Sequence, residues 1–397
     1  MSVVKTGPKG LIIYDTIKSY NGYNLFCPFW EPLYSEVKYC WLMDMEGRFV
    51  HRWRVPYPPG CHGILLPNGN LLYAGRLKTI EELGLGWTEE FSGLGGILLE
   101  IDWDGNLVWQ AEVPCQGHDF TMMENGHIMY IAWDPKGIVP DEIAARVKGG
   151  RPGTELNGKI WGDVLIEIDR DGNKVWEWLA YEHLDPEVDA LCPLENRSQW
   201  PYLNAVWICR DGNVLLSTRY LNQITKVDYK TGKVIGRYGK GKIFHQHDCR
   251  ELDNGNILLF DNGTHRHEYE PEYSRVVEID PKIDEIVWEY KANPPSDFFS
   301  SHSSGCERQP NGNTVIIETA KGRMFEVTSG GEIVWEYVNP HYTSYRGRPS
   351  NQIWRVHRYS HDYPGLKGKE LNPDKLAWVN RIWGPDALPR DIKPCLF

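Results

Sequence analysis

The chain lacks any run of 18 apolar residues, so nothing in it predicts a membrane span. Its nine cysteines are scattered, odd in number and never spaced C-x-x-C, which excludes a cysteine zinc ribbon and argues against a disulfide framework. Basic residues are in the minority. Lys+Arg number 43 against 54 Asp+Glu, a formal charge of −11, and such a field disfavours nucleic acid and anionic membrane as partners. A phosphate-binding glycine loop, a G-x-S-x-G elbow and a dinucleotide fingerprint are all missing. The opening residues MSVVKTGPKGLIIYD hold no apolar segment of signal-peptide length, and the expectation is a cytoplasmic, soluble protein.

What the 397 residues do contain is a repeat. A turn of the form N-G-N or D-G-N, flanked by β-type apolar runs, recurs in HGILLPNGNLLYAG at His62, HDFTMMENGHIMYIAW at His118, NAVWICRDGNVLLSTR at Asn204, HDCRELDNGNILLFDN at His247 and HSSGCERQPNGNTVIIE at His302. Asn-Gly and Asp-Gly favour tight hairpins with positive φ at both central positions. A second hairpin interleaves with the first and ends in an aromatic residue, as in GILLEIDWDGNLVWQ and DVLIEIDRDGNKVWEW; it occurs six times. Inner plus outer hairpin makes a four-stranded sheet. Six such sheets predict an all-β fold, a six-bladed β-propeller of four-stranded antiparallel blades.

Repeat origins lie 56, 86, 43 and 55 residues apart, and the long interval is assigned to an insertion near 134–160 with one short helix. A smaller insertion near 76–94 contains Leu83, Trp87 and Phe91. Both would cover one face of the propeller as loops. The expected organisation is a single domain, 1–397, with blades over 10–363, the first blade built from 10–53, a closing strand near 352–359 and a surface tail over 364–397.

Equivalent positions of successive blades point at one axial region. The residue expected to open the inner strand is His62, His118, Asn204, His247 and His302 in five successive repeats. Two chemistries use such a ring. Converging neutral imidazoles at His62, His118, His247 and His302 would hold a divalent transition metal, and ligand type alone does not choose between manganese, iron and zinc. Alternatively one imidazole acts as nucleophile beside groups that hold a transferred anion. Arg219, in LLSTRYLNQ, is the candidate for an anionic or enolate oxygen. Asn204, and Tyr202 two residues before it and hence on the same face, are candidates for a substrate oxygen. Asp119 and Asp248 follow histidines and fall on the opposite face. Glu307 and Glu318 are secondary acid/base candidates. His127, His245, His265 and His267 are read as structural, solvated or supporting. A non-catalytic binding propeller is a third reading.

The segments GYNLFCP, MDMEGRFVHRW, HGILLPNGN, HDCRELDNGNILLFDNG and LNAVWICRDGNVLLSTRYLNQI resemble the arylsulfotransferases that need no nucleotide sulfate donor, six-bladed propellers, over most of 10–340. The resemblance implies that His247 is transiently sulfated, that Arg219 and Asn204 bind the sulfuryl oxygens and that His118 assists. It breaks at Tyr202, where the family carries histidine, and at His302, an added histidine. The chain is also similar to the metal-dependent dihydrophloroglucinol cyclohydrolases of this fold. That resemblance implies manganese at the four histidines and hydrolysis of a ring C–C bond in a cyclic β-diketone, with catalytic Arg219, Tyr202, Asn204 and His247. Either way the expected partner is a small oxygenated ring.

Overall fold

The computed structural model describes residues 8–28, 38–77, 95–266, 271–345 and 348–383. Its main strands form six antiparallel sheets, the blades of a six-bladed β-propeller. The residues group into two compact units, one of Met1–Gly75, Leu98–Gln110 and Ser304–Phe397, the other of Arg76–Ile97 and Ala111–Ser303.

The second unit holds three sheets in chain order. They are Gln116–Met122, Ile128–Ala132, Val164–Ile168 and Lys174–Leu179; then Leu203–Ile208, Val214–Thr218, Gln223–Val227 and Val234–Tyr238; then His247–Glu251, Ile257–Asp261, Arg275–Asp280 and Glu285–Tyr290. Apolar side chains of neighbouring sheets interlock, with Met129, Leu165 and Trp178 against Val206, Leu216 and Val227. The same packing recurs with Leu215 and Ile224 against Leu259 and Val277. Burying such side chains contributes about 1.5–3 kcal/mol each.

In the first unit, Gly22–Pro28, Lys38–Met43 and Phe49–Val55 are completed by Ile353–Ser360, which pairs with Gly22–Pro28. The expected closing strand is therefore present. Residues Gly10–Tyr14, expected in this first blade, instead pair with Ile333–Val338 and become a fifth strand of the sheet Gly305–Arg308, Thr314–Glu318, Arg323–Val327 and Ile333–Val338. Its edge would otherwise stand open, and the added strand satisfies it. The remaining sheet comprises Pro59–Leu65, Leu71–Arg76, Gly96–Ile101 and Leu107–Glu112.

The repeat turns differ from the expected type. Only the glycines have positive φ (Gly69 +87°, Gly212 +77°, Gly255 +83°, Gly312 +87°). The preceding Asn or Asp uses its side chain, Asn68 Oδ1 accepting from Asn70 N at 2.9 Å and Asn254 Oδ1 from Asn256 N at 2.9 Å. An Asx turn followed by a left-handed glycine thus replaces two left-handed residues. The second Asn serves the outer hairpin: Asn70 bonds Glu100 at 2.6 Å and Asn256 bonds Glu278 at 2.7 Å. His127 occupies the same repeat position and meets Glu167 at 2.6 Å, which fixes its structural role. The recurrent tryptophan has a polar reason as well as an apolar one. Trp178 Nε1 donates to Gly232 O at 2.9 Å and Trp335 Nε1 to Met45 O at 2.8 Å, so each indole ties its sheet to a neighbouring turn.

The 134–160 insertion contains a 3-10 turn Pro135–Gly137, the expected short helix Asp141–Ala144, and a strand Gly149–Arg151. That strand pairs in parallel with Leu191–Asn196, part of a second excursion over 180–202 that the repeat spacing had not revealed. Arg197 locks the two, bonding Glu155 at 2.8 Å and the carbonyls of Ala144, Val147 and Gly149. Of the 76–94 insertion, 78–94 lie outside the described residues, as do 384–397 of the tail. The rest of the tail packs on the first unit, Asn380 bonding both Phe49 N and Phe49 O. Among the described residues no helix is long and apolar enough to cross a membrane.

Candidate active site

His247 opens its strand as expected and is 3% exposed. Its Nδ1 lies 2.7 Å from Asn262 Oδ1. The amide orientation of Asn262 is fixed because its Nδ2 donates to Ser300 O at 2.7 Å and Ser303 O at 3.1 Å. Oδ1 can only accept, so Nδ1 carries the ring proton and Nε2 holds the lone pair. The Ser303 N–H reaches that lone pair at a long 3.2 Å. Burial, then the charges of Arg219, His118 and His302, outweigh the Asn262 hydrogen bond and hold the imidazole well below its usual range, so it is neutral.

Arg219 begins a 3-10 turn, Arg219–Leu221, where the chain leaves Val214–Thr218. Its guanidinium lies 5.3 Å from the ring centres of both Tyr202 and Tyr220, and Nη1 is 3.3 Å from Glu195 Oε1. A largely buried cation held by aromatic faces and one carboxylate keeps donors for an anionic ligand. Burial raises the Glu195 carboxyl, but the adjoining His245 imidazole and Arg219 guanidinium hold it down at about 2.

Tyr202 Oη meets His118 Nε2 at 3.1 Å, and His118 packs edge-on to Trp133 at 5.1 Å. The alternation argument that placed Tyr202 on the face of Asn204 does not apply. Tyr202 precedes its strand with φ +63°, and the left-handed backbone sets its direction. Asn204 is fully buried and donates from Nδ2 to Gln246 O at 2.8 Å, while its Oδ1 has no partner among the described residues. His302 does not open a strand. That strand begins at Gly305, because Ser303 and Ser304, at φ +52° and +79°, interrupt the extended run. His302 Nδ1 lies 3.2 Å from Ser301 Oγ.

Asp119 and Asp248 do turn from the imidazoles: Asp119 Oδ2 accepts from Val206 N at 3.0 Å, and Asp248 pairs with Arg250. Glu318 is fully buried between Lys321 and Arg323 and is structural. His62, the fourth residue of Pro59–Leu65, belongs to the first unit, where its Nδ1 is 3.2 Å from His357 Nε2. His357 Nδ1 is in turn 3.3 Å from Glu307 Oε2. His357 escaped the sequence reading because its strand returns from the far end of the chain and carries no N-G-N signal.

Hydrogen bonds engage both nitrogens of His247 and Nε2 of His118. The described group whose ligand atoms do converge within 4.8 Å is Cys192, His245 and His265. Cys192 lies in the excursion over 180–202, and nothing in the repeat marks it. His267, by contrast, lies outside the described residues.

The arylsulfotransferase (ASST) family model matches residues 65–340, and the chain belongs to that family. No curated protein sequence matches it. Among solved structures, a protein of unknown function from Bacteroides caccae shares the fold at 12% identity and TM-score 0.50, covering 85% of this chain and 98% of that one. The Cps50 (Swd1) β-propeller domain of Myceliophteria thermophila aligns at 11% identity and TM-score 0.46, covering 84% and 90%. A virginiamycin B lyase from Staphylococcus aureus aligns at 12% identity and TM-score 0.39, covering 75% and 83%.

Proposed function

We propose that the chain transfers a sulfuryl group from an aryl sulfate to a phenolic acceptor, with His247 as the covalent carrier. The observation that carries this reading is the pinned Asn262 amide, which puts the lone pair of His247 on Nε2, met there by the long Ser303 N–H contact and lying in the field of the largely buried Arg219. In the first half-reaction Nε2 attacks sulfur, the bond from sulfur to the aryl oxygen breaks, and that oxygen leaves with the electron pair as phenolate. Arg219 stabilises the charge on the sulfuryl oxygens. Because Nδ1 keeps its proton, the carrier is a cationic imidazole whose departure as neutral imidazole makes the second half-reaction easy. There the acceptor oxygen attacks sulfur and the Nε2–S pair returns to the ring. His118, whose Nε2 is hydrogen-bonded to Tyr202, takes the hydroxyl proton at its other ring nitrogen as the oxygen attacks.

The family membership supports this reading over the hydrolytic one, which rests on resemblance alone. Rapid mixing of the enzyme with excess aryl sulfate and no acceptor tests it. The expected result is a burst of phenolate equal to the enzyme concentration, absent in His247→Ala. A linear release with no burst, unchanged in that variant, contradicts it.

A further inference from the structure

A second centre adjoins Arg219, and it is built from residues that the transfer reaction does not use. Cys192 and Glu195 come from the strand Leu191–Asn196, His245 from the loop entering the His247 strand, and His265 from the loop after Ile257–Asp261. Cys192 Sγ is 3.7 Å from His265 Nδ1, and Glu195 Oε1 is 3.0 Å from His245 Nδ1 and 3.9 Å from His265 Nδ1. The two imidazoles meet edge to face, with ring centres 4.6 Å apart. Ligands at about 2.0–2.3 Å around a tetrahedral ion stand about 3.3–3.6 Å from each other, and the three separations above bracket that range, with Cys192, His245 and His265 converging within 4.8 Å and Glu195 beside them.

His245 supplies a second, independent indication. It is fully buried, and its Nε2 has no hydrogen-bond partner among the described residues, while its Nδ1 faces Glu195 Oε1 at 3.0 Å. Leaving a buried imidazole unsatisfied costs about 1–3 kcal/mol, and a coordinated cation removes that cost. Both His245 (φ +56°) and His265 (φ +64°) also hold left-handed backbone.

We infer that Cys192, Glu195, His245 and His265 form a binding site for a borderline divalent cation of the zinc class. One thiolate, two imidazoles and one carboxylate suit zinc or cobalt better than magnesium or calcium, which prefer oxygen ligands alone. Binding releases the thiol proton of Cys192 to solvent. The ion joins three separate segments and holds Glu195 in place against Arg219. It thereby fixes the guanidinium, so its role toward the reaction is positioning. The site does not depend on sulfuryl transfer.

The test uses the full chain, prepared free of metal and titrated with Co2+ and then Zn2+. One equivalent of Co2+ is expected to bind with a thiolate-to-cobalt charge-transfer band and a tetrahedral d–d spectrum, both displaced by Zn2+. Cys192→Ser should abolish the charge-transfer band, and His265→Gln should weaken zinc binding at least about tenfold. His265 is the safer variant for folding because its side chain is 27% exposed. Binding without the charge-transfer band, or affinity unchanged in both variants, overturns the assignment. So does the absence of stoichiometric binding. Loss of phenolate burst with intact cobalt spectra would fault the transfer reading and leave this site standing.

Discussion

Two turns of identical backbone carry different duties. In the second unit, Thr218 (φ −97°, ψ 83°) leads into Arg219–Leu221 and ends at Asn222 in left-handed conformation (φ 54°, ψ 46°). In the first unit, Glu318 (φ −98°, ψ 84°) leads into Thr319–Lys321 and ends at Gly322 (φ 59°, ψ 32°). The fold supplies the turn in both cases. One turn presents Arg219 to Tyr202, Tyr220 and Glu195, whereas the other presents Thr319, whose Oγ1 donates to Ile353 O at 2.8 Å and holds the closing strand. The same turn thus sets an arginine against two tyrosines and a carboxylate in one sheet and fastens the closing strand in another.

Exchanging those side chains should separate the two duties. Arg219→Ala is expected to lower kcat/KM by about 10³-fold, the scale of losing a donor to developing charge, with little change in melting temperature. Thr319→Val should leave the kinetics intact. A small kinetic effect at Arg219 would break the comparison.

Acid sharpens it from the first unit. His51 stacks on Trp103 at 3.8 Å, and burial, with the charges of Lys369 and Arg52, pushes it down to about 4 despite a backbone hydrogen bond. Its folded value lies below its unfolded one, so the unfolded chain binds the proton first. Stability is complete above about pH 6.5 and falls as pH drops toward 4, by about 3 kcal/mol. Denaturant midpoints over that range should show the loss, and His51→Phe should flatten it.

The turn ends give a smaller contrast. At Gly322 a Cβ would lie 2.2 Å from Asn351 O at a positive φ, so Gly322→Ala should cost about 2 kcal/mol or more in urea unfolding. Asn222→Gly keeps the left-handed backbone and loses side-chain hydrogen bonds, among them that from His245 N to Asn222 Oδ1 at 2.9 Å, worth about 1 kcal/mol. Thr319→Val is also expected to cost about 1 kcal/mol, through its bond to Ile353 O.

The blade count, the closing strand and the place of His247 at the head of its strand were legible because they ride on a periodic turn whose chemistry is local, whereas His118 and Asn204 lie third and second in theirs. Three features were not. The strand Gly10–Tyr14 pairs with residues more than 300 positions away, and no local pattern encodes that partner. Tyr202 and His302 lie beside strands at or next to left-handed residues, where alternation stops governing direction. Cys192 and Glu195 come from a non-repeating excursion and meet His245 and His265 only in the folded chain.

Sulfuryl transfer through His247 would leave a covalent mark on that residue. The most direct test is to quench the enzyme under alkaline conditions during turnover of an aryl sulfate without acceptor, and to map its peptides by mass spectrometry. One added sulfuryl group is expected on the peptide containing His247, lost when a phenol is supplied. An unmodified His247 peptide during active turnover, or the group on another residue, would contradict it.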